Sequence, residues 1–449
     1  MMKVTNKLPA LALGTVASLA ICGSVHAQSS DTLIDKLVEK GILNTREAQQ
    51  LRDEADKDFS KALSAKNGMP DYVTALKLNG DFRARYEGFF RDNSLFKDQN
   101  RFRYRLRFGV TANLADNMEV GFGLISQAAN GDPISGNQTM SDNGSKKPVA
   151  IDLAYAKWSP INSPDWSLAV TVGKMKNPLT FNDTLLFDND YTPEGGAVEV
   201  GYNINDSHSL KFVGAGFILD EIGNAALGSQ DPYMLAAQLR WDANWNSKIK
   251  SSLGIAVLDI LSGDRLTTAG PVINIPNSIN GGNTKGANGA PIAGFNPIVV
   301  DAAVTYTLDK EVPGYTGPFP ITTFIDYVMN PRAKTLDEAY AVGITFGKAG
   351  KKKTWEIGYR YKESQNDSWW EETVESDSGA YYQTANAAIG AGANSYMSGT
   401  GFRGHVFKAS YSPYDSLTFT MQLFNTWAIQ DRNFGSTINR LQLDAQWKF

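Results

Sequence analysis

Residues 437–449 read Thr-Ile-Asn-Arg-Leu-Gln-Leu-Asp-Ala-Gln-Trp-Lys-Phe. Leu441, Leu443, Ala445, Trp447 and Phe449 fall on one face of an extended chain, and Arg440, Gln442, Asp444, Gln446 and Lys448 on the other, with Ile438 alone off the beat. A period of two places successive side chains on opposite faces, so this is a strand with one apolar and one polar face. Alternation that runs to a final aromatic fits the closing strand of an outer-membrane β-barrel. It also fits a half-buried strand of a soluble sandwich, so the rest of the chain must choose between them.

From residue 75 onward the same pattern recurs in sixteen segments. They cover 75–87, 101–114, 117–127, 150–158, 166–175, 195–203, 208–219 and 232–243, then 246–259, 297–309, 319–330, 338–347, 353–363, 401–411, 416–427 and 437–449. Most reach the roughly 9–11 residues that a tilted strand needs to cross a bilayer. Their connections tend to alternate. Residues 128–149, 176–194, 260–296 and 364–400 are long, whereas 115–116, 159–165, 204–207, 244–245, 348–352 and 412–415 are short. Short turns on one side and long loops on the other are the asymmetry of periplasmic and extracellular ends, and an even strand count returns both termini to the periplasmic side. The pair 310–318 and 331–337 departs from it, the first long for a turn and the second short for a loop.

The N-terminus reads as a secretory signal: Lys3 and Lys7, an apolar core from Leu8 to Ile21, and Val25-His26-Ala27 as a cleavage site that leaves Gln28 first. Leu19-Ala20-Ile21-Cys22 has the outline of a lipobox, but Ile21 occupies a slot that calls for Gly or Ala. Cys22 is the single cysteine, so the mature chain has no disulfide and no thiolate metal site. Removal of residues 1–27 takes 43 basic against 47 acidic side chains to 41 against 47, a formal charge of −6, which gives no footing for nucleic acid. No mature stretch reaches the roughly 18 apolar residues of a membrane-spanning helix. Residues 28–70 are set apart as a periplasmic helical or coiled-coil unit with its linker. One helix is capped at Ser30 or Asp31, carries Leu33, Ile34, Leu37 and Val38 and ends at Gly41; a second starts near Asn44 and carries Ala48, Leu51 and Ala55. Residues 71–449 are then one all-β, antiparallel, sixteen-stranded transmembrane barrel.

Strand faces agree with that assignment. Phe102, Tyr104, Leu106, Phe108 and Val110 point one way, as do Ile298, Val300, Ala302, Val304 and Tyr306, and Trp355, Ile357, Tyr359 and Tyr361. Sixteen strands enclose a space too wide for side chains to fill, so the apolar faces meet lipid and the polar faces an aqueous lumen. Tyr86, Trp158, Trp166, Tyr327 and Trp447 suit the aromatic girdles at the two interfaces.

Four features together resemble the bacterial putative porins, with a more distant similarity to the phosphate-selective porins. They are Asp152-Leu153-Ala154-Tyr155-Ala156-Lys157-Trp158, Val172-Gly173-Lys174-Met175-Lys176-Asn177-Pro178-Leu179, the short N-terminal helical unit, and the Trp447-Lys448-Phe449 ending. The resemblance spans nearly the whole mature chain. It implies a passive, sixteen-stranded channel of the outer membrane, assembled as a homotrimer.

The lumen face of the first hairpin is crowded with arginine: Arg83 and Arg85 on one strand, Arg101, Arg103, Arg105 and Arg107 on the next. A hairpin symmetric about residue 94 pairs Glu87 with Arg101 and Asp81 with Arg107, and leaves Arg83, Arg85, Arg103 and Arg105 facing one another as like charges. Such a cluster is either a wall braced by fixed acids or a ladder that concentrates and guides anions. The ladder is the stronger alternative, because guanidinium keeps its charge and grips carboxylate or phosphate with two N–H groups. The counter-charge is expected from residues 176–194, where Asp183, Asp188 and Asp190 would face the arginines across the pore and Leu185, Leu186 and Phe187 would anchor the loop inside. Glu371, Glu372, Glu375 and Asp377 read as a solvated acidic loop, and Gly281–Ala290 as a mobile loop tip. No metal or cofactor site is expected. Of the mature histidines, His208 and His405 lie far apart, and no local motif assembles a nucleophile with a base, which argues against an enzyme. An adhesin or structural barrel would have little use for a charged lumen. The expected partners are therefore outer-membrane lipid and lipopolysaccharide, small hydrophilic solutes or ions, and further copies of the chain.

Overall fold

The computed structural model describes residues 69–91, 98–127, 132–221, 231–266, 282–286, 290–382, 396–429 and 437–449. The expected signal segment and both expected helices lie outside them. Contacts divide the chain into two units, residues 1–75 and 76–449, and the second carries the sheet. Its strands are β1 (Val73–Arg91), β2 (Gln99–Leu114), β3 (Met118–Ser126), β4 (Gln138–Thr139), β5 (Val149–Asn162), β6 (Trp166–Lys174), β7 (Glu194–Asn205), β8 (His208–Ile218), β9 (Tyr233–Asn244) and β10 (Ile249–Leu261). They continue as β11 (Ile298–Leu308), β12 (Phe319–Met329), β13 (Glu338–Gly347), β14 (Thr354–Ser364), β15 (Gly379–Tyr382), β16 (Tyr396–Ser398), β17 (Phe402–Tyr414), β18 (Leu417–Ala428) and β19 (Ile438–Lys448). β15 and β16 form a separate hairpin, and β4 is a two-residue addition to the edge of β2. The remaining sixteen are the expected alternating segments, paired antiparallel with their chain neighbours and closed where β1 meets β19.

The closing register runs from Asp81 opposite Lys448, through Arg85 opposite Asp444, to Arg91 opposite Ile438. Closure is obligatory, because hydrocarbon offers no partner to an unpaired N–H or C=O. At the seam, Gly80 and Phe449 exchange both backbone bonds, Gly80 N to Phe449 O at 2.9 Å and Phe449 N to Gly80 O at 3.1 Å. The tight β2–β3 turn uses Asp116 and Asn117, both at φ +59°, the pair of left-handed residues that a twisted two-residue hairpin turn demands. Pro160, which has no N–H for a ladder, falls where the β5–β6 register slips between Trp158 and Ile161.

Along the outer face the large apolar side chains stay uncovered: Phe102, Leu106 and Phe108 on β2, Leu253, Ile255 and Val257 on β10, Ile357 and Tyr359 on β14. They form the band that lipid covers. The inner face departs from the expectation of an evenly polar lumen. From β8 to β13 it carries Val213, Phe217, Met234, Ala236, Ala256, Leu258, Ile260, Val299, Val328, Ala339 and Ala341, all buried. These pack with Leu185, Leu186, Trp369 and Trp370 in one apolar cluster. The lumen is too wide for wall side chains to fill, and loop residues complete the filling on this side.

Two substitutions test the architecture. A Cβ on Gly80 would come within 2.5 Å of both the Arg107 carbonyl and the Phe449 ring, so Gly80→Val is expected to open the seam at a cost of about 1–3 kcal/mol, read as a lower temperature for loss of the compact form in unheated electrophoresis. Ile255→Arg on the uncovered face is expected to cost about 2–4 kcal/mol near the bilayer midplane. Its readout is folding yield in lipid vesicles.

Candidate functional site

The chain turns inward between β6 and β7. Their ends meet as the pair Gly173 opposite Gly195, with φ of +110° and +154°. A Cβ there would lie 2.3 Å from the Ala154 carbonyl or 2.1 Å from that of Gly216, so only glycine lets both strands bend at this point. Residues between Met175 and Pro193 cross the lumen, tied at the root by Met175 N to Pro193 O at 2.9 Å. Leu185 and Leu186, each 1% exposed, seat on the apolar wall. Polar bonds fix the register: Thr180 exchanges bonds with the Gln238 side chain at 2.9 and 2.7 Å, and Asp326 accepts from Asn182 Nδ2 and Asp183 N, both at 2.7 Å.

A second loop follows β14 into the lumen, where a solvated acidic loop was expected. Trp369 is fully buried, and its indole donates to Leu186 O at 3.0 Å, while Asp188 N donates to Thr373 O at 2.7 Å. Glu371 and Glu375 are buried as well. Lys362 bridges Asp183 and Glu375, each at 2.8 Å, with Arg360 beside them, and Thr184 Oγ1 donates to Glu375 at 2.9 Å. Nor is the described part of Gly281–Ala290 a free tip. Asn283 is buried and donates to Asn366 O and Trp369 O, and Lys285 pairs with Glu371. The physical reason is shared: a wide lumen with an apolar flank rewards burial of Trp369 and Phe187, and Asp183, Glu371 and Glu375, carried in with them, are matched by a wall cation or a backbone N–H.

The basic wall spans the seam. Arg101, Arg103 and Arg440 converge on Glu87, which is fully buried; Arg440 reaches it at 2.8 Å and Asp377 at 2.7 Å. Arg85 makes a two-pronged pair with Asp444, both bonds 2.7 Å. Arg105 bonds Asp81 and Asp190, each at 2.8 Å, and Arg107 takes Asp190 at 2.8 Å with Asp152 at 3.5 Å. Glu87 thus meets Arg101 as the hairpin symmetry suggested, whereas Asp81 goes to Arg105 and Arg107 is shared between Asp190 of the loop and Asp152 of β5. Arg83 and Arg103 are held differently. Arg83 Nη2 donates to Asn137 Oδ1 at 2.8 Å and Arg103 Nη2 to Asn137 O at 3.2 Å; the Nε of each is buried without a hydrogen-bond partner among the described residues.

The three expected loop acids separate. Asp190 binds the arginines directly, and Asp188 lines the same cavity of about 410 Å³. Asp183 does not face the ladder: it lies against Lys362 and Arg360 on β14. Burial alone would raise the Asp190 carboxyl, but Arg105 and Arg107 outweigh it and hold it low; Asp377 is likewise held low by Arg440 and Arg85. For Asp188, burial and then the neighbouring Asp190 and Asp377 act together, raising its carboxyl well above the ordinary range. Arg360, Lys362, Glu375, Asp377, Arg440, Asp444 and Asn137 were not among the expected site residues. Arg440 and Asp444 were visible on the polar face of the last strand, and closing the sheet against β1 is what brings them to the site.

Docking of the second loop is expected to depend on pH through Glu372. Burial, then Glu371, push Glu372 from 4.5 up to about 7, against a smaller lowering by Lys285. The docked state therefore holds this proton more tightly than the open state, so docking weakens as pH rises from about 4.5 to about 7 and levels off above. Hydrogen exchange of residues 365–378 is expected to quicken across that window, and Glu372→Gln to reduce the dependence. Trp369→Ala is expected to cost the docked state about 3–5 kcal/mol and to expose the loop to proteolysis in the folded barrel.

Comparison with known proteins bears on the same region. No curated protein matches the chain. Among solved structures, OprB of Pseudomonas putida is similar at 11% identity, covering 87% of this chain and 97% of its own, with a TM-score of 0.49. A mutant porin of Rhodopseudomonas blastica is similar at 11% identity, covering 84% and 100%, with a TM-score of 0.41. OmpF of Salmonella typhi, in complex with daunomycin, is similar at 8%, covering 83% and 97%, with a TM-score of 0.45. The closed sheet itself rests on strand register. Residues 93–262, from the second strand of the basic hairpin through the inward loop, match the family model described as putative porin.

Proposed function

We propose that the chain is an outer-membrane porin through which small hydrophilic solutes and ions diffuse passively, with anions preferred at the constriction. The porin reading is supported by a closed barrel with a lipid-facing band and by the family match. The preference rests on one observation: nine basic side chains line the 410 Å³ cavity against six acidic ones, and among the described residues Arg83 and Arg103 have no carboxylate in hydrogen-bonding range, Glu87 lying 3.7 Å from Arg103. The other four ladder arginines each have an acid in place, so they brace the wall and position the inward loop. Arg83 and Arg103 keep charge available to the lumen, where low-dielectric walls focus it on passing ions. Asp188 and Asp190 from the loop, with Asp377 from the second loop, form the acidic margin of the gap; Asp183 serves to seat the loop. In this reading residues 1–27 are the export signal, residues 28–70 stand on the periplasmic side with the C-terminus, the barrel assembles as a homotrimer, and lipopolysaccharide surrounds the outer rim.

Reversal potential under a KCl gradient in a planar bilayer tests the proposal. Stable open steps with an anion-side reversal are expected, moving toward the cation side in Arg83→Gln/Arg103→Gln. An unchanged reversal in that variant would remove these arginines from selectivity. Folded protein without conductance would remove the porin.

A further inference from the structure

The same cavity holds incompletely matched basic and acidic groups. On the wall, Arg83 and Arg103 are aligned by one residue, Asn137, itself buried: its side-chain oxygen accepts from Arg83 and its main-chain oxygen from Arg103. The nearest carboxylate to Arg103 is Glu87 at 3.7 Å, already held by Arg101 and Arg440. On the loops, Asp132 and Asp188 line the cavity too. Each accepts a backbone N–H on Oδ1, from Ile134 at 3.0 Å and Asp190 at 2.7 Å, and neither has a basic side chain in ion-pair range among the described residues. Two guanidiniums without a hydrogen-bonded carboxylate and two carboxyls without an ion-paired cation, lining one cavity, hold a simple anion from the arginines alone, because its charge meets the acids as like charge. A solute carrying both charges a few bonds apart satisfies both sides.

Building on the porin reading, we propose that this cavity binds small zwitterions of the α-amino acid class. Arg83 and Arg103 take the carboxylate, and Asp188 with Asp132 takes the ammonium. Asn137 is a positioning residue that holds the two guanidiniums side by side. Phosphate and sulfate fit the arginines but bring one to two negative charges, and no cation, toward Asp188. Binding of this kind makes permeation saturable for such solutes while leaving chloride and potassium to pass.

The test titrates L-alanine into the folded full-length barrel in detergent by calorimetry and records KCl current from the same preparation in planar bilayers. Saturable heat is expected, with concentration-dependent interruption of the current. Acetate and methylammonium, each offering one charge, are expected to need at least about tenfold higher concentrations for the same effect. Arg83→Gln/Arg103→Gln and, separately, Asp188→Asn are expected to weaken alanine binding by at least about tenfold. Flowing KCl current with no alanine binding, or acetate binding as tightly as alanine, would overturn the zwitterion site and leave the porin standing. Alanine binding without current would keep the site and overturn the porin. The comparison of alanine with acetate needs no variant, so it decides the matter even if a substituted barrel does not fold.

Discussion

A sheet in hydrocarbon must close on itself, because each edge N–H or C=O left open has no water to turn to. With sixteen strands, that closure encloses more space than side chains can fill. These two constraints order everything else in the molecule. The first fixes the β1–β19 seam and its register, from Asp81 opposite Lys448 to Arg91 opposite Ile438. The second leaves a void that the chain must furnish from its own loops or yield to water. Here loops pack against the apolar flank of β8–β13, and a cavity of about 410 Å³ remains along the charged flank around β1, β2 and β19.

On the charged flank, seven arginines, counting Arg440, stand close together without tearing the wall apart, because buried acids are interleaved with them. Glu87 shows how tightly this is balanced. Its carboxyl is fully buried, which would be costly for a lone charge, and it is surrounded by Arg101, Arg103 and Arg440. Removing either sign would strand the other in a poorly solvated wall. The same interleaving means that most of the ladder is spent on structure, and the charge that a passing solute can meet is confined to a few groups around Asn137.

The strands were legible because lipid on one side and water or loop on the other impose a period of two, which survives in any single segment. β13 runs Glu338–Gly347 as the alternation indicated, and β1 extends only four residues past its expected end. The inward course of residues 175–193 was also readable, since Leu185-Leu186-Phe187 is too apolar for a solvated loop. The second loop was misread by weighing its acids over Trp369-Trp370, two adjacent indoles that water does not accommodate well. Partner choice was illegible for a different reason. Asp183 with Lys362 and Asp377 with Arg440 are separated by 179 and 63 positions, and only the rotation of strands around a closed barrel brings them together. Treating the first hairpin as isolated omitted β19, the neighbour that supplies Arg440 and Asp444.

Arg440 belongs to the last strand, yet it holds Glu87 on the first strand and Asp377 on a loop already inside. That three-way clasp links chain closure to cargo. The seam and the docked loop therefore share one guanidinium, so that disturbing either loosens the other. The residue that fastens the cylinder also registers that its contents are in place.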